Sequence, residues 1–187
     1  MSASIANQLT VLRILIVPFF IATVMYYVPG KDHLRYAALA LFITAAVLDF
    51  LDGYLARKFH QETRAGAILD PLADKILIIS AFICLYKVGV FFNEVRFPIW
   101  LVVAVISRDA ILIMGAMVIH LTKGGMTIAP TVWGKATAFF QFLAVIGFLL
   151  QWRLSMILWY IILFLVVVSG IDYLVKGVHE LNSGEKS

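Results

Sequence analysis

Cysteine is almost absent from this sequence: Cys84 stands alone, inside the apolar stretch 76–86. One thiol makes no intramolecular disulfide and no zinc site of the usual cysteine type, so packing must hold the fold together. Charge is scarce too, at 14% of residues, where a soluble domain carries about 25%. The net charge is +4 and the isoelectric point about 9.3, yet no basic run is interleaved with aromatics. That removes the electrostatic face a nucleic-acid partner would need. There is no low-complexity segment, no soluble linker and no obvious repeat. Residues 1–10 lack the basic start and small-residue cleavage site of a signal peptide, so the first apolar stretch is expected to be a retained helix.

Hydrophobic residues fill the space left, at 63% of 187 residues with a mean hydropathy of +0.98. The length allows one domain, 1–187, with no room for a separate soluble module. A helix crossing a bilayer needs about 20 apolar residues. Six stretches qualify: 9–28, 34–57, 67–88, 97–120, 131–151 and 154–175. Between them lie Pro29-Gly30-Lys31-Asp32, 58–65, 89–96, Lys123-Gly124-Gly125 and a break at Trp152-Arg153. Pro98 and Pro130 fall where helices start, and Pro18 is expected to kink the first helix. The predicted fold is an all-α integral membrane protein, a bundle of six transmembrane helices.

Six spans place both termini on one side. The segments on that side hold seven cations, Arg57, Lys58, Arg64, Lys123, Lys135, Lys176 and Lys186; the opposite segments hold five, Lys31, Arg35, Lys87, Arg96 and Arg153. The excess of positive charge favours cytoplasmic termini in a cell membrane. Trp100, Trp152, Trp159, Tyr26 and Tyr27 near span ends read as interfacial anchors. His33, His60, His120 and His179 lie near span ends or in connections rather than in ligand positions. Asp172, within the last span, is expected to pair with a cation or polar group of the bundle.

Acids inside spans are costly and mark function or an ion path. Here they gather in one segment: Asp49, Asp52, Asp70 and Asp74. Asp49 and Asp52 are three apart on the second predicted helix, and Asp70 and Asp74 four apart on the third, so each pair shares a helix face. Antiparallel neighbours joined by a short loop would bring all four carboxylates together. Four such groups repel one another unless protonated or neutralised, and hard divalent cations, Mg²⁺ or Mn²⁺, are the fitting neutralisers. Two ions about 3.5–4 Å apart form a clamp for phosphoryl chemistry. The plainer alternative makes these acids caps and ion-pair partners of Arg57, Lys58, Arg64 and Lys75. Gly53 and Ala56, each one turn beyond an acid, leave a side-chain-free notch where a nucleotide approaches the backbone; Gly66 opens the third helix. Close helix packing would use the same small residues.

Written out, the segment is Asp49-x2-Asp52-Gly53-x2-Ala56-Arg57-x8-Gly66-x3-Asp70-x3-Asp74. It resembles the signature of the CDP-alcohol phosphotransferase family at every defined position across 26 residues. The resemblance implies that family's six-helix bundle, a two-metal site on the cytoplasmic side, and a homodimer. It implies that Asp49, Asp52 and Asp70 hold one ion, that Asp49, Asp70 and Asp74 hold the second, and that Asp74 is the general base. It also implies that Gly53, Ala56, Arg57, Thr63 and Gly66, with Asn7 and Thr10 at the N-terminus, contact the CDP-lipid. Three further elements, Asn7-Gln8-Leu9-Thr10-Val11-Leu12-Arg13, Ser107-Arg108-Asp109 and Gly134-Lys135 with Gln141, are similar to the branch of that family that makes phosphatidylglycerophosphate.

Serine, inositol phosphate and phosphatidylglycerol are accepted by relatives that share the acidic motif, so other residues must choose the acceptor. Arg108 lies deep in the fourth span and Lys135 in the first turns of the fifth. A buried guanidinium fork and an ammonium suit a phosphate, which favours glycerol 3-phosphate with CDP-diacylglycerol as donor. An Arg108–Asp109 structural pair and a snorkelling Lys135 are the alternatives. A divalent-cation transporter is the rival from another class, but the acids gather at one end and no second acidic cluster marks an exit.

Overall fold

The computed structural model describes residues 5–59, 64–91, 95–122 and 131–183. Among the described residues the chain forms six α-helices, one 3-10 turn and no strand. In chain order these are α1 (Ile5–Met25), α2 (Asp32–Phe59), α3 (Arg64–Val88), the turn Gly89–Phe91, α4 (Ile99–Thr122), α5 (Val132–Leu149) and α6 (Ser155–Ser183). Each expected apolar stretch has become one helix, because an apolar medium gives backbone N–H and C=O groups no partner but their own turns. Three stretches among the described residues, Asp32–Leu51, Val132–Leu149 and Ser155–Lys176, are long and apolar enough to cross a membrane, and α1 adds the shorter run Leu9–Met25. The chain is a membrane protein.

The ends differ from the apolar runs where turn chemistry takes over. α1 stops at Met25, although apolar residues continue to Val28. The Lys31 N–H donates to the Val28 carbonyl at 3.0 Å, with Pro29 and Gly30 between them and Gly30 at φ 90°. That is a type II turn, whose third position requires a positive φ that glycine adopts without strain. α5 ends at Leu149 rather than at Gln151. There the Trp152 N–H reaches the Gly147 carbonyl and the Gln151 N–H reaches the Phe148 carbonyl, each at 2.9 Å, with Gln151 at φ 56°. This is a Schellman cap in which glutamine holds the left-handed position that glycine usually takes. Pro18 sits inside α1, which runs on past it.

The chain divides into two compact units, 1–97 with 145–152, and 98–144 with 153–187. In the first unit α1 packs along both α2 and α3. Its core includes Val17, Phe20, Phe42, Ala45, Leu77 and Phe82. Phe20 and Phe42 pack with centroids 5.7 Å apart, and Phe97 bridges Phe82 and Phe148 by edge-on contacts at 4.8 and 5.4 Å. Those edge-on geometries align ring edges with ring faces, the arrangement aromatic quadrupoles favour.

In the second unit α4 packs on α6. Lipid tails are as apolar as leucine, so close approach rather than water expulsion drives such pairing. Gly115 provides it: a Cβ there would lie 2.9 Å from Cε1 of Tyr173, whose hydroxyl donates to the Leu112 carbonyl at 3.1 Å. Gly115→Val should therefore lower stability by about 1–3 kcal/mol, the usual cost of overpacking. Tyr173→Phe, which loses only a hydrogen bond, should cost about 1 kcal/mol. Unfolding of the two variants in detergent, followed by tryptophan fluorescence, checks the order.

Candidate active site

α1 carries one charged residue, Arg13. A lone cation in an apolar helix has to find an anion. Arg13 finds the first acid of the motif: its Nη1 lies 2.5 Å from Asp49 Oδ1. The pair is asymmetric, since the Arg13 side chain is 1% exposed and that of Asp49 is 41% exposed. Thr10, three residues before Arg13 and so on the same face of α1, is fully buried. Asn7 continues that face in the first turns of the helix, and its side chain lies outside the described residues.

The acidic motif runs from α2 into α3. Asp49, Asp52, Gly53, Ala56 and Arg57 fall on the C-terminal part of α2, and Gly66, Asp70 and Asp74 on the N-terminal part of α3. Helical periodicity sets Asp49 beside Asp52 and Gly53, and aligns Gly66, Asp70 and Asp74 at four-residue intervals along one stripe. The side chains of Asp52, Gly53, Ala56, Arg57, Gly66 and Asp70, and the whole of Thr63, lie outside the described residues. Of the four acids, the described side chains are those of Asp49 and Asp74. Asp74 is half-buried with its Oδ1 enclosed, on α3, which packs on α1.

This donor set suits a hard divalent cation. Its members are carboxylates, with no thiolate or imidazole among the four, and oxygen ligands select Mg²⁺, Mn²⁺ or Ca²⁺ over softer metals. Arg13 pairs with one oxygen of Asp49, whose side chain is partly exposed.

In the second unit, Arg108 on α4 is 7% exposed. Its Nη1 donates to Asp109 Oδ1 at 2.7 Å, its Nε donates to Ser169 Oγ on α6 at 3.1 Å, and its Nη2 also reaches that hydroxyl. The Asp109 side chain is fully buried. The Arg108–Asp109 pairing weighed from the sequence is therefore present, and Ser169 completes it. On α5, Thr131 caps the helix, accepting from the Gly134 N–H at 3.1 Å. A Cβ on Gly134 would meet Arg108 Nη2 at 3.3 Å, so a glycine at this position lets α5 approach the guanidinium. Lys135, the next residue, is exposed, while Thr137 and Gln141 are buried further along. Asp172 meets its expected cation, Lys176, at 3.0 Å.

Two contributors escaped the sequence reading. Arg13 was quoted only as part of a similar segment, though its solitude in an apolar run was the signal that it needed an acid partner. Ser169 had no signal at all, because a serine in an apolar helix looks the same whether it faces lipid or an arginine.

A family model described as CDP-alcohol phosphatidyltransferase matches residues 3–169. Among curated relatives, a probable phosphatidylglycerophosphate synthase of Mycobacterium tuberculosis is 32% identical over 96% of this chain and 84% of its own length. The CDP-diacylglycerol--glycerol-3-phosphate 3-phosphatidyltransferase of Aquifex aeolicus is 34% identical, covering 93% of this chain and 96% of the relative. The protein of the same name from Haemophilus influenzae is 35% identical, covering 93% of each.

Removing the counter-charge of a buried cation costs more than removing a neutral partner. Asp109→Asn should destabilise the protein by about 3–5 kcal/mol. Ser169→Ala should cost about 1–2 kcal/mol. Thermal unfolding of the two variants side by side tests the ranking.

Proposed function

The chain belongs to the CDP-alcohol phosphatidyltransferase family, and from that membership we propose that it transfers the phosphatidyl group of CDP-diacylglycerol to glycerol 3-phosphate, giving phosphatidylglycerophosphate and CMP. The observation that carries this reading is the complete acidic motif on α2 and α3, in a chain whose relatives of that name align over more than nine-tenths of its length. Two divalent cations, Mg²⁺ or Mn²⁺, when bound would neutralise the pyrophosphate and the departing CMP.

The chain's own residues divide the remaining work. Asp49, Asp52, Asp70 and Asp74 would hold the two cations, Asp49, Asp52 and Asp70 the first and Asp49, Asp70 and Asp74 the second. Asn7, Thr10, Gly53, Ala56, Arg57, Thr63 and Gly66 line the CDP-lipid site. Asp74 accepts the proton of the acceptor's primary hydroxyl. The hydroxyl oxygen then bonds to the β-phosphorus, and the bond to the bridging oxygen breaks with its electrons leaving on CMP.

Arg108 and Lys135 hold the phosphate of the acceptor. A guanidinium has five N–H donors, and the contacts to Asp109 and Ser169 use three of them. Two remain for a phosphate, and exposed Lys135 follows the glycine that lies against Arg108. The reaction runs in the cytoplasmic membrane, on a homodimer with both termini and the acidic motif facing the cytoplasm; the family resemblance and the distribution of Lys and Arg support that arrangement.

The test is CMP release by the purified protein with CDP-diacylglycerol, offering glycerol 3-phosphate, serine, inositol phosphate or phosphatidylglycerol. Glycerol 3-phosphate alone should support turnover, EDTA should abolish it, and added Mg²⁺ or Mn²⁺ should restore it. Turnover with a different acceptor would overturn the roles of Arg108 and Lys135 and leave those of the acids standing. Asp74→Asn should lower kcat by about 10²–10⁴-fold, the usual contribution of a positioned base, while binding of the CDP-lipid persists. Normal turnover in that variant would remove Asp74 from the chemistry.

A further inference from the structure

In the second unit one neutral side chain takes two donors from a single cation. The Ser169 hydroxyl on α6 accepts from Arg108 Nε at 3.1 Å and from Arg108 Nη2 as well, while Arg108 Nη1 donates to Asp109 Oδ1 at 2.7 Å. Tying α4 to α6 would take only one such bond. Two N–H groups on the same oxygen also fix how the planar guanidinium is turned. That group carries one N–H on Nε and two on each terminal nitrogen. With these contacts made, one N–H is left on Nη1 and one on Nη2, the two ends with which an arginine grips a phosphate. The hydroxyl accepts from Arg108 and donates to no group among the described residues, so its hydrogen is a third unused donor. Ser169 is 1% exposed and Arg108 7%, and donors so enclosed are costly without an acceptor. Gly134 keeps space beside Nη2, where a Cβ would lie 3.3 Å from that nitrogen.

We propose that Ser169 is a positioning residue for the acceptor-phosphate subsite: by holding Nε and Nη2 it sets the free ends of the Arg108 guanidinium to receive the phosphate. This rests on the reading that Arg108 binds the phosphate of the acceptor. Asp109 holds Arg108 too, but as a counter-charge it weakens the attraction of the guanidinium for a second anion. Ser169 is uncharged and orients the group without that loss. Removing Asp109 therefore changes the charge of the subsite, whereas removing Ser169 changes its geometry at constant charge. A plain tie between α4 and α6 would use the same bonds. Its loss would lower stability, but it would not single out one of the two substrates.

Steady-state kinetics of the full-length protein in detergent, with CDP-diacylglycerol and Mg²⁺, compare wild type with Ser169→Ala. The KM for glycerol 3-phosphate should rise about 10–100-fold, the range that corresponds to one hydrogen bond to a charged group. The KM for CDP-diacylglycerol and kcat should stay near wild type. Inorganic phosphate, competing with glycerol 3-phosphate, should lose inhibition by the same factor, which separates the phosphate subsite from contacts to the glycerol. Ser169→Cys, close in shape but a weak acceptor, should shift both constants in the same direction. It decides alone if Ser169→Ala does not fold, as judged by circular dichroism. An unchanged KM for glycerol 3-phosphate in the folded variants, or equal rises for both substrates, overturns the inference and leaves the reading of Arg108 standing. A wild-type protein that does not turn over glycerol 3-phosphate removes that reading and this role together.

Discussion

An arginine brought into an apolar bundle has to meet an acid, and in this protein that constraint organises both units. In the first, Arg13 on α1 meets Asp49 on α2, so the helix with a single charge is tied to the helix that starts the acidic motif. In the second, Arg108 meets Asp109 on its own helix and Ser169 on α6, so the guanidinium joins two helices through a hydroxyl. The two solutions differ in what they leave over. The Arg108–Asp109 carboxylate is fully enclosed, and what remains is donor capacity on the cation. The Asp49 side chain of the Arg13 pair is partly exposed. Spare donors on a buried guanidinium suit an anion such as a phosphate.

The helices were legible because their signal is gross. A run of about 20 apolar residues needs no long-range information to be read as a helix, and all six runs became helices. Their ends were less so. α6 continues to Ser183, beyond the apolar limit expected at 175, because backbone hydrogen bonding persists through polar sequence once a helix is under way. α5 stops early because the cap is set by a left-handed Gln151, a residue that gives no such hint.

At the site, the acids were legible because each breaks an apolar pattern. The pairing of Asp49 with Arg13 was not, because it depends on which faces of α1 and α2 meet, and hydropathy carries no rotational reference for a helix that is apolar all round. The local alternative offered for the acids drew on Arg57, Lys58, Arg64 and Lys75, all close in sequence. The side chains of Arg57, Lys58 and Arg64 lie outside the described residues, and one partner that Asp49 does have, Arg13, is 36 residues away on another helix. Arg108 and Asp109 were a sequence neighbour pair and could be weighed in advance; Ser169, 61 residues from Arg108, could not.

The turns at Val28–Lys31 and at Leu150–Trp152 are closed by their own backbone hydrogen bonds, one around a left-handed glycine and one around a left-handed glutamine. Val24 and Tyr27 beside the first, and Leu149 beside the second, line one small cleft with Leu85 and Val88 of α3, so both turns belong to the same end of the first unit. A protease needs a stretch of extended, unpaired chain, and an inserted tag or antibody epitope needs a loop that tolerates extra length. These connections supply neither. These two turns are poor handles for purification, labelling or immune recognition, and a reporter is better attached elsewhere on the chain.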